Sequence, residues 1–166
     1  MAVVDYRLFQ PGDFEPLYAI EEICFQPPFR FGRRLMQQLI ENPKSATWIA
    51  EENGRMTGFA IVEFTPEPEH ETAYIQTLEV LPDRRRNGIG LELLRCLEQS
   101  AMKARAALIW LHVDTENDAA IRLYRAVGYE LQGRHANYYA RSRSADIYLK
   151  QLTGTVKPER SKANTA

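Results

Sequence analysis

Apolar residues recur along this chain at two alternating periods, near two and near three to four, and the switches between them outline a series of strands and helices. Val3 to Leu8 reads as an opening strand. Beyond Gln10-Pro11-Gly12-Asp13, Asp13 stands as an N-cap, and Leu17, Ile20 and Ile23 at helical spacing predict a helix ending near Cys24. Phe25-Gln26-Pro27-Pro28-Phe29 cannot continue it, because two consecutive prolines remove donors and restrict the residues before them. A stiff loop flanked by aromatic residues is expected there. Leu35, Met36, Leu39 and Ile40 place a second helix over Arg33 to Glu41. Ala46 to Glu52 and Met56 to Thr65 are apolar runs separated by a turn containing Asn53-Gly54, a strong hairpin signal.

Pro66 to Glu71 is an acidic, proline-interrupted loop, after which Thr72 to Leu81 returns to strand chemistry. Gly88 to Ala106 carries Ile89, Leu93, Leu94, Leu97 and Ala101 on one helical stripe, and Leu108 to Val113 reads as a buried strand. Asn117 caps a further helix bearing Ala120, Leu123, Tyr124 and Val127, closed by Gly128. Tyr129 to His135 and Asp146 to Leu152 are the last predicted strands. Mixed strands with helices on both sides imply α/β or α+β layering. One domain over residues 1–152 is expected, with residues 153–166 disordered because they hold too few apolar residues to pack.

Composition narrows the function classes. The 166 residues are 45% hydrophobic and 26% charged, and no apolar run approaches the ~18 residues of a membrane span. No basic segment followed by an apolar one opens the chain, so a cytoplasmic location is the default. A formal charge of -1 gives no attraction for a polyanion, so neither nucleic acid nor membrane is expected as a partner. Cys24 and Cys96 lack neighbours at metal-ligand spacing, and no disulfide or metal site is expected.

The most informative turn follows Leu78-Glu79-Val80-Leu81: Pro82-Asp83-Arg84-Arg85-Arg86-Asn87-Gly88-Ile89-Gly90, with a long amphipathic helix beginning inside it. Unpaired N–H groups at a helix start, the helix dipole, and glycines that let a backbone approach closely make an anion-binding design. A Rossmann fingerprint would need a small residue where Leu93 stands, and the Gly-Lys-Ser/Thr of a P-loop is absent. Arg85-Arg86-Asn87-Gly88-Ile89-Gly90 resembles the acetyl-CoA signature Arg/Gln-x-x-Gly-x-Gly/Ala of the GNAT acetyltransferase superfamily. Asn117 to Tyr129 resembles its second signature, Asn-x-x-Ala-x-x-x-Tyr-x-x-x-Gly-Phe/Tyr.

That resemblance implies a GNAT fold, in which a mixed, mostly antiparallel sheet of about seven strands has splayed central parallel strands and about four flanking helices. It implies acetyl-CoA held by Arg85, Arg86, Asn87, Gly88 and Gly90, with backbone groups of Leu78 and Val80 pairing with pantetheine, Asn117 reaching from the far side, and Tyr124 facing the sulfur as acid. Tyr74-Ile75-Gln76-Thr77-Leu78 and Leu111-His112-Val113 further resemble the N-terminal acetyltransferase branch, in which a tyrosine and a histidine serve as base through water. Tyr74 and His112 inherit that expectation, with Glu79 and Glu22 as reserves. In the bacterial ribosomal-protein alanine branch a glutamate usually stands at His112, so the chain departs from that pattern. Asn137-Tyr138-Tyr139 resembles the tyrosine pair that holds a peptide backbone, and Phe25 to Phe29, with Phe25 and Pro27, the loop around the first residue. The acceptor expected is a peptide or protein N-terminus, the protein acting as monomer or homodimer. Alternatives are a small amine of polyamine, aminoglycoside or amino-acid type, and a CoA-binding module without catalysis.

Overall fold

The computed structural model describes residues 3–66 and 71–152. The centre of the expected acidic loop and the expected disordered tail lie outside them. The elements are β1 (Val4–Leu8), α1 (Phe14–Cys24), α2 (Arg33–Glu41), β2 (Ser45–Glu52), β3 (Arg55–Pro66), β4 (Glu71–Val80), α3 (Ile89–Lys103), β5 (Ala106–Asp114), α4 (Asp118–Ala126), β6 (Glu130–Ala140) and β7 (Arg143–Gln151). Short 3-10 turns precede α1 and α3. Asp13 does not cap α1 with its side chain. Arg7 takes that carboxylate at 2.7 and 2.9 Å, and the Gln10 N–H donates to it at 2.7 Å, so it closes the 3-10 turn instead.

One sheet runs in the order β1-β2-β3-β4-β5-β7-β6. All neighbouring strands are antiparallel except β4 and β5. The expected Asn53-Gly54 turn joins β2 to β3, both residues taking positive φ (51° and 76°). β3 is buried on both faces, which is why it reads as a continuous apolar run. Its Phe59 and Ile61 pack with Leu17, Ile20 and Met36 of α1 and α2, while Ala60 and Val62 pack with Leu93, Leu94 and Leu97 of α3.

Two irregularities position the site. First, β4 pairs with β5 only from Glu71 to Tyr74, whose partner is Trp110, whereas β5 stays paired with β7 as far as Asp114 and Ala145. Beyond Tyr74 the central sheet forks, leaving the β4 edge facing a gap. Second, Ile75 pairs with Val62 but Thr77 pairs with Ile61, so Gln76 is an extra residue in the ladder. Strict alternation would put Glu79 on the face opposite Tyr74; the bulge reverses the parity and brings both to the α1 face.

The final hairpin extends beyond its sequence pattern. β6 continues to Ala140, and its register jumps between His135 and Ala140, with Asn137 at φ 54°. A turn-prone asparagine inside a bulge hides a strand from pattern reading. Its effect is to carry Tyr138 and Tyr139 over the fork.

Candidate active site

The fork opens into a cleft of about 920 Å³ lined by the β4 residues Leu78, Glu79 and Val80, by Arg84 to Arg86, and by Gly88, Ile89 and Gly90. α4 closes its far side with Ala120 and Tyr124, and Asn117 lies at that rim. Gly88 is the residue before α3, at φ 78°, and no atom lies within 4 Å of where a Cβ would stand. Arg86 shares the left-handed region at φ 64°, so successive N–H groups at the helix start turn into a concave nest suited to phosphate oxygens. The arginines are not equivalent. Arg85 donates to the Val80 carbonyl at 3.0 Å and braces the strand end, and Arg84 pairs with Glu52 at 2.7 Å. Arg86 lines the cleft. Asn87 turns its amide back onto the carbonyls of Arg84 and Arg85, holding the loop rather than the cleft. Asn117 Oδ1 accepts from the Ala120 N–H at 3.2 Å, capping α4 at the rim. An unpaired strand edge, an open helix N-terminus and an uncrowded Gly88 together fit a pantetheine arm ending in a diphosphate.

A second cavity, of about 380 Å³, adjoins the first on the α1 side and shares Phe25, Leu78, Asn117, Ala120 and Tyr124 with it. Its walls include Phe29, Phe31, Ile75, Leu111, Val113 and Tyr139, with His112 among them. The Tyr74 hydroxyl meets His112 Nδ1 at 2.8 Å, and Tyr138 stacks on the His112 ring with centroids 4.2 Å apart and planes 6° from parallel. Tyr139 packs against Phe29 at 4.9 Å, tying the β6 bulge to the loop after α1. Pro27 is exposed and lines neither cavity, whereas Phe25 lines both.

Burial sets the protonation of these groups. It holds the Tyr74 phenol far above its usual range, with Tyr138 adding to the effect, and it raises Tyr124 likewise. Both remain O–H groups at neutral pH. His112 is pushed below its ordinary 6.5, first by desolvation and then by the charge of His135, so its imidazole is neutral where most enzymes work.

The two reserve carboxylates part company. Glu22 is exposed, while its neighbour Glu21, which sequence reasoning passed over, is completely buried. Glu21 Oε1 accepts from the Phe31 N–H at 2.7 Å. Its Oε2 and Glu79 Oε1 are both buried without a donor, and burial followed by the contact with Glu21 drives the Glu79 pKa well up. One proton shared between the two carboxyls satisfies both oxygens. Nothing in the sequence pointed to Glu21, because the pairing depends on the Gln76 bulge. Arg143, also missed, grips Asp114 at 2.8 and 3.0 Å, pairs with Glu116, and lies over Phe29 at 5.1 Å. Among the described residues no cluster of His, Cys, Asp or Glu could hold a metal ion, and no helix is long and apolar enough to cross a membrane.

Comparison with known proteins meets this geometry. The chain is 36% identical over 125 residues, 74% of its length and 72% of the relative's, to the N-alpha-acetyltransferase RimI of Mycobacterium tuberculosis. It is 35% identical over 88 residues to the ribosomal protein bS18 alanine N-acetyltransferase of Escherichia coli, a match spanning 53% of this chain and 57% of that protein. The crystal structure of Arabidopsis thaliana Naa50 in complex with the bisubstrate analogue CoA-Ac-MVNAL superposes with a TM-score of 0.78 and 25% identity, covering 89% of this chain and 98% of that one. The profile of the Acetyltransferase (GNAT) family matches residues 8–129, and with the forked sheet and the Arg85–Gly90 turn in place, the chain belongs to the GNAT family of acetyltransferases.

Proposed function

We propose that this acetyltransferase modifies the α-amino group of a peptide or protein N-terminus. The observation that carries the reading is the second cavity: an aromatic-lined chamber that joins the cofactor cleft at Tyr124 and Leu78 and has the Tyr74–His112 pair at its side. An α-amino group, with a pKa of about 7.7 to 8.0, needs only a modest base, whereas a lysine at about 10.4 needs more. A neutral imidazole is such a base. A polyamine would call for free carboxylates in the chamber, and the two there, Asp114 and Glu116, are both engaged by Arg143. Relatives named for N-alpha acetylation, and a neighbour holding a CoA–peptide analogue, support the same acceptor class.

Acetyl-CoA supplies an acetyl group activated as a thioester. The chain's own groups do the rest. The helix start at Gly88 and Arg86 would hold the diphosphate, and the β4 edge beside Leu78 and Val80, unpaired with β5, would offer its backbone to the pantetheine amides, as in strand addition. His112, oriented by the Tyr74 hydroxyl on Nδ1, takes the amine proton directly or through a water. Tyr124, kept protonated by burial, donates at the inner end of the cleft, where thiolate charge would develop. Tyr139 and Phe25 border the acceptor chamber, while Tyr138 lines neither cavity and stacks on His112 beside it. Glu79 serves the fold through Glu21, not the proton transfer.

The test is competition among acceptors. The protein with acetyl-CoA is offered Met-Val-Asn-Ala-Leu with a free N-terminus, its alanine-first counterpart, the same peptides N-blocked, spermidine, and an aminoglycoside, with thiol release followed. Turnover of free peptides and none of blocked ones, with the acetyl located on the α-nitrogen by mass spectrometry, is expected. Turnover of the small amines alone would replace this reading.

A further inference from the structure

We propose that His135 is the outer member of a proton exit line, accepting from His112 the proton taken from the acceptor amine and handing it to solvent. The inference rests on His112 being the base. Its chemistry balances simply. As the amine lone pair attacks the thioester carbonyl, a C–N bond would form and an N–H proton go to His112; the C–S bond would break, the CoA sulfur leaving with the Tyr124 proton, which water restores. For the next turnover His112 must lose its proton, which moves from the imidazolium to the ring of His135 and then to water.

Geometry selects His135. The Tyr74 hydroxyl occupies His112 Nδ1, and Nε2 has no partner among the described residues, so Nε2 is the nitrogen left for onward transfer. The His135 ring centroid lies 5.6 Å from that of His112, a gap that one water can bridge, and 4.8 Å from Tyr138. Tyr138 covers a face of His112, so the imidazole does not reach bulk water on that side. His135 itself is exposed. Histidine is the side chain suited to relay near neutral pH, since it both accepts and releases a proton there.

The carboxylates nearby are engaged elsewhere. Asp114 and Glu116 are held by Arg143, and Glu79 is buried against Glu21. From β4, Tyr74 faces His112; from β6, His135 and Tyr138; from β5 itself, Trp110. On β7 the register partner is the uncharged Ile147, and the adjacent Asp146 alternates to the opposite face, where Arg134 pairs with it. Among the described residues, His135 is therefore the one histidine packed against His112. The pairing is legible only in three dimensions: the two histidines stand on strands separated by β7, the extra residue at Gln132 turns His135 to the face of His112, and the register jump after His135 brings Tyr138 over the site.

His135 acts through His112 and is a positioning residue for its proton. The test compares the full chain, His135→Asn and His112→Asn. Histidine-selective NMR titration of His112 needs no acceptor: without the neighbouring charge its pKa should rise, and an unmoved His112 in His135→Asn overturns the proposal. Kinetically, with an acceptor from the panel above, the acid limb of kcat/KM should move to higher pH in His135→Asn. At low buffer kcat should fall roughly 3- to 10-fold, less than the ~100-fold or more that a lost acid–base group costs. Added imidazole should restore it. A limb and kcat equal to wild type, or a defect that imidazole leaves untouched, sinks the relay. If His112→Asn keeps the acid limb, it is the base assignment that fails; if that limb vanishes while His135→Asn behaves as wild type, the relay alone fails.

Discussion

Tyr74 is the last residue of β4 paired with β5, and His112 stands two residues beyond its partner Trp110, so the 2.8 Å contact between the Tyr74 hydroxyl and His112 Nδ1 spans the fork where the parallel strands part. The same divergence that exposes a strand edge to the cofactor places a neutral imidazole beside it. The proposed cofactor site and proposed proton acceptor are two consequences of one break in a ladder.

Tyr74→Phe should leave the fold intact and lower kcat roughly tenfold to a hundredfold, the low end of what a positioned acid–base group contributes. In the wild type, kcat/KM should rise with pH through two inflections, one below 6.5 from His112, whose neutral form burial favours, and one near the acceptor amine's own pKa of about 7.7 to 8.0. Steady-state kinetics from pH 5 to 9 check both. Equal kcat in the two proteins removes Tyr74 from the mechanism.

For Tyr124→Phe the division is between binding and turnover. The ring still packs edge-on to Tyr129, so acetyl-CoA affinity by calorimetry should change by less than about twofold while kcat drops at least about tenfold, as for an interaction made mainly in the transition state. A kcat matching wild type would exclude the hydroxyl as donor.

At Gly88 the backbone decides. Alanine fits the space but not the φ of 78°, a strain of about 1–2 kcal/mol, equivalent to roughly tenfold in affinity if it falls on the binding-competent turn. Gly88→Glu adds a negative charge in the phosphate nest and should abolish measurable binding. A calorimetric affinity in the Gly88→Glu variant equal to that of wild type would refute an anion site there.

Glu79→Gln tests the shared proton. With its folded pKa raised above the ordinary 4.5, native Glu79 keeps a proton that the unfolded chain releases, so the pair's contribution is full below 4.5 and declines as pH rises toward the folded value. The amide donates to Glu21 without that penalty. The variant's Tm relative to wild type should increase steadily from pH 5 to 8; a difference independent of pH would show that no proton is shared.

The order of strands and helices was readable from the chain because local rules generate it. Asn53-Gly54 supplies the positive φ of a hairpin, Asn117 and Gly128 bracket a helix, and Arg85 to Gly90 must turn where its glycines sit. Their spacing alone carried the family resemblance and the cofactor turn. Edges were less legible: β6 was expected to stop at His135, since the Ala136–Tyr139 bulge breaks its alternation.

Tertiary structure decided who meets whom. The extra residue at Gln76 brings Glu79 to the α1 face, where the buried Glu21 completes it, and in the β5-β7-β6 order one β6 irregularity, at Gln132, turns His135 toward His112 while a second, after His135, brings Tyr138 onto it. Periodicity reports which face a side chain takes only while a strand stays regular, and a pairing between distant segments leaves no local signature. The contacts of His112 with Tyr138 and His135 therefore emerge only once the sheet is assembled, whereas the glycine turn from Arg85 to Gly90 is written in a single segment.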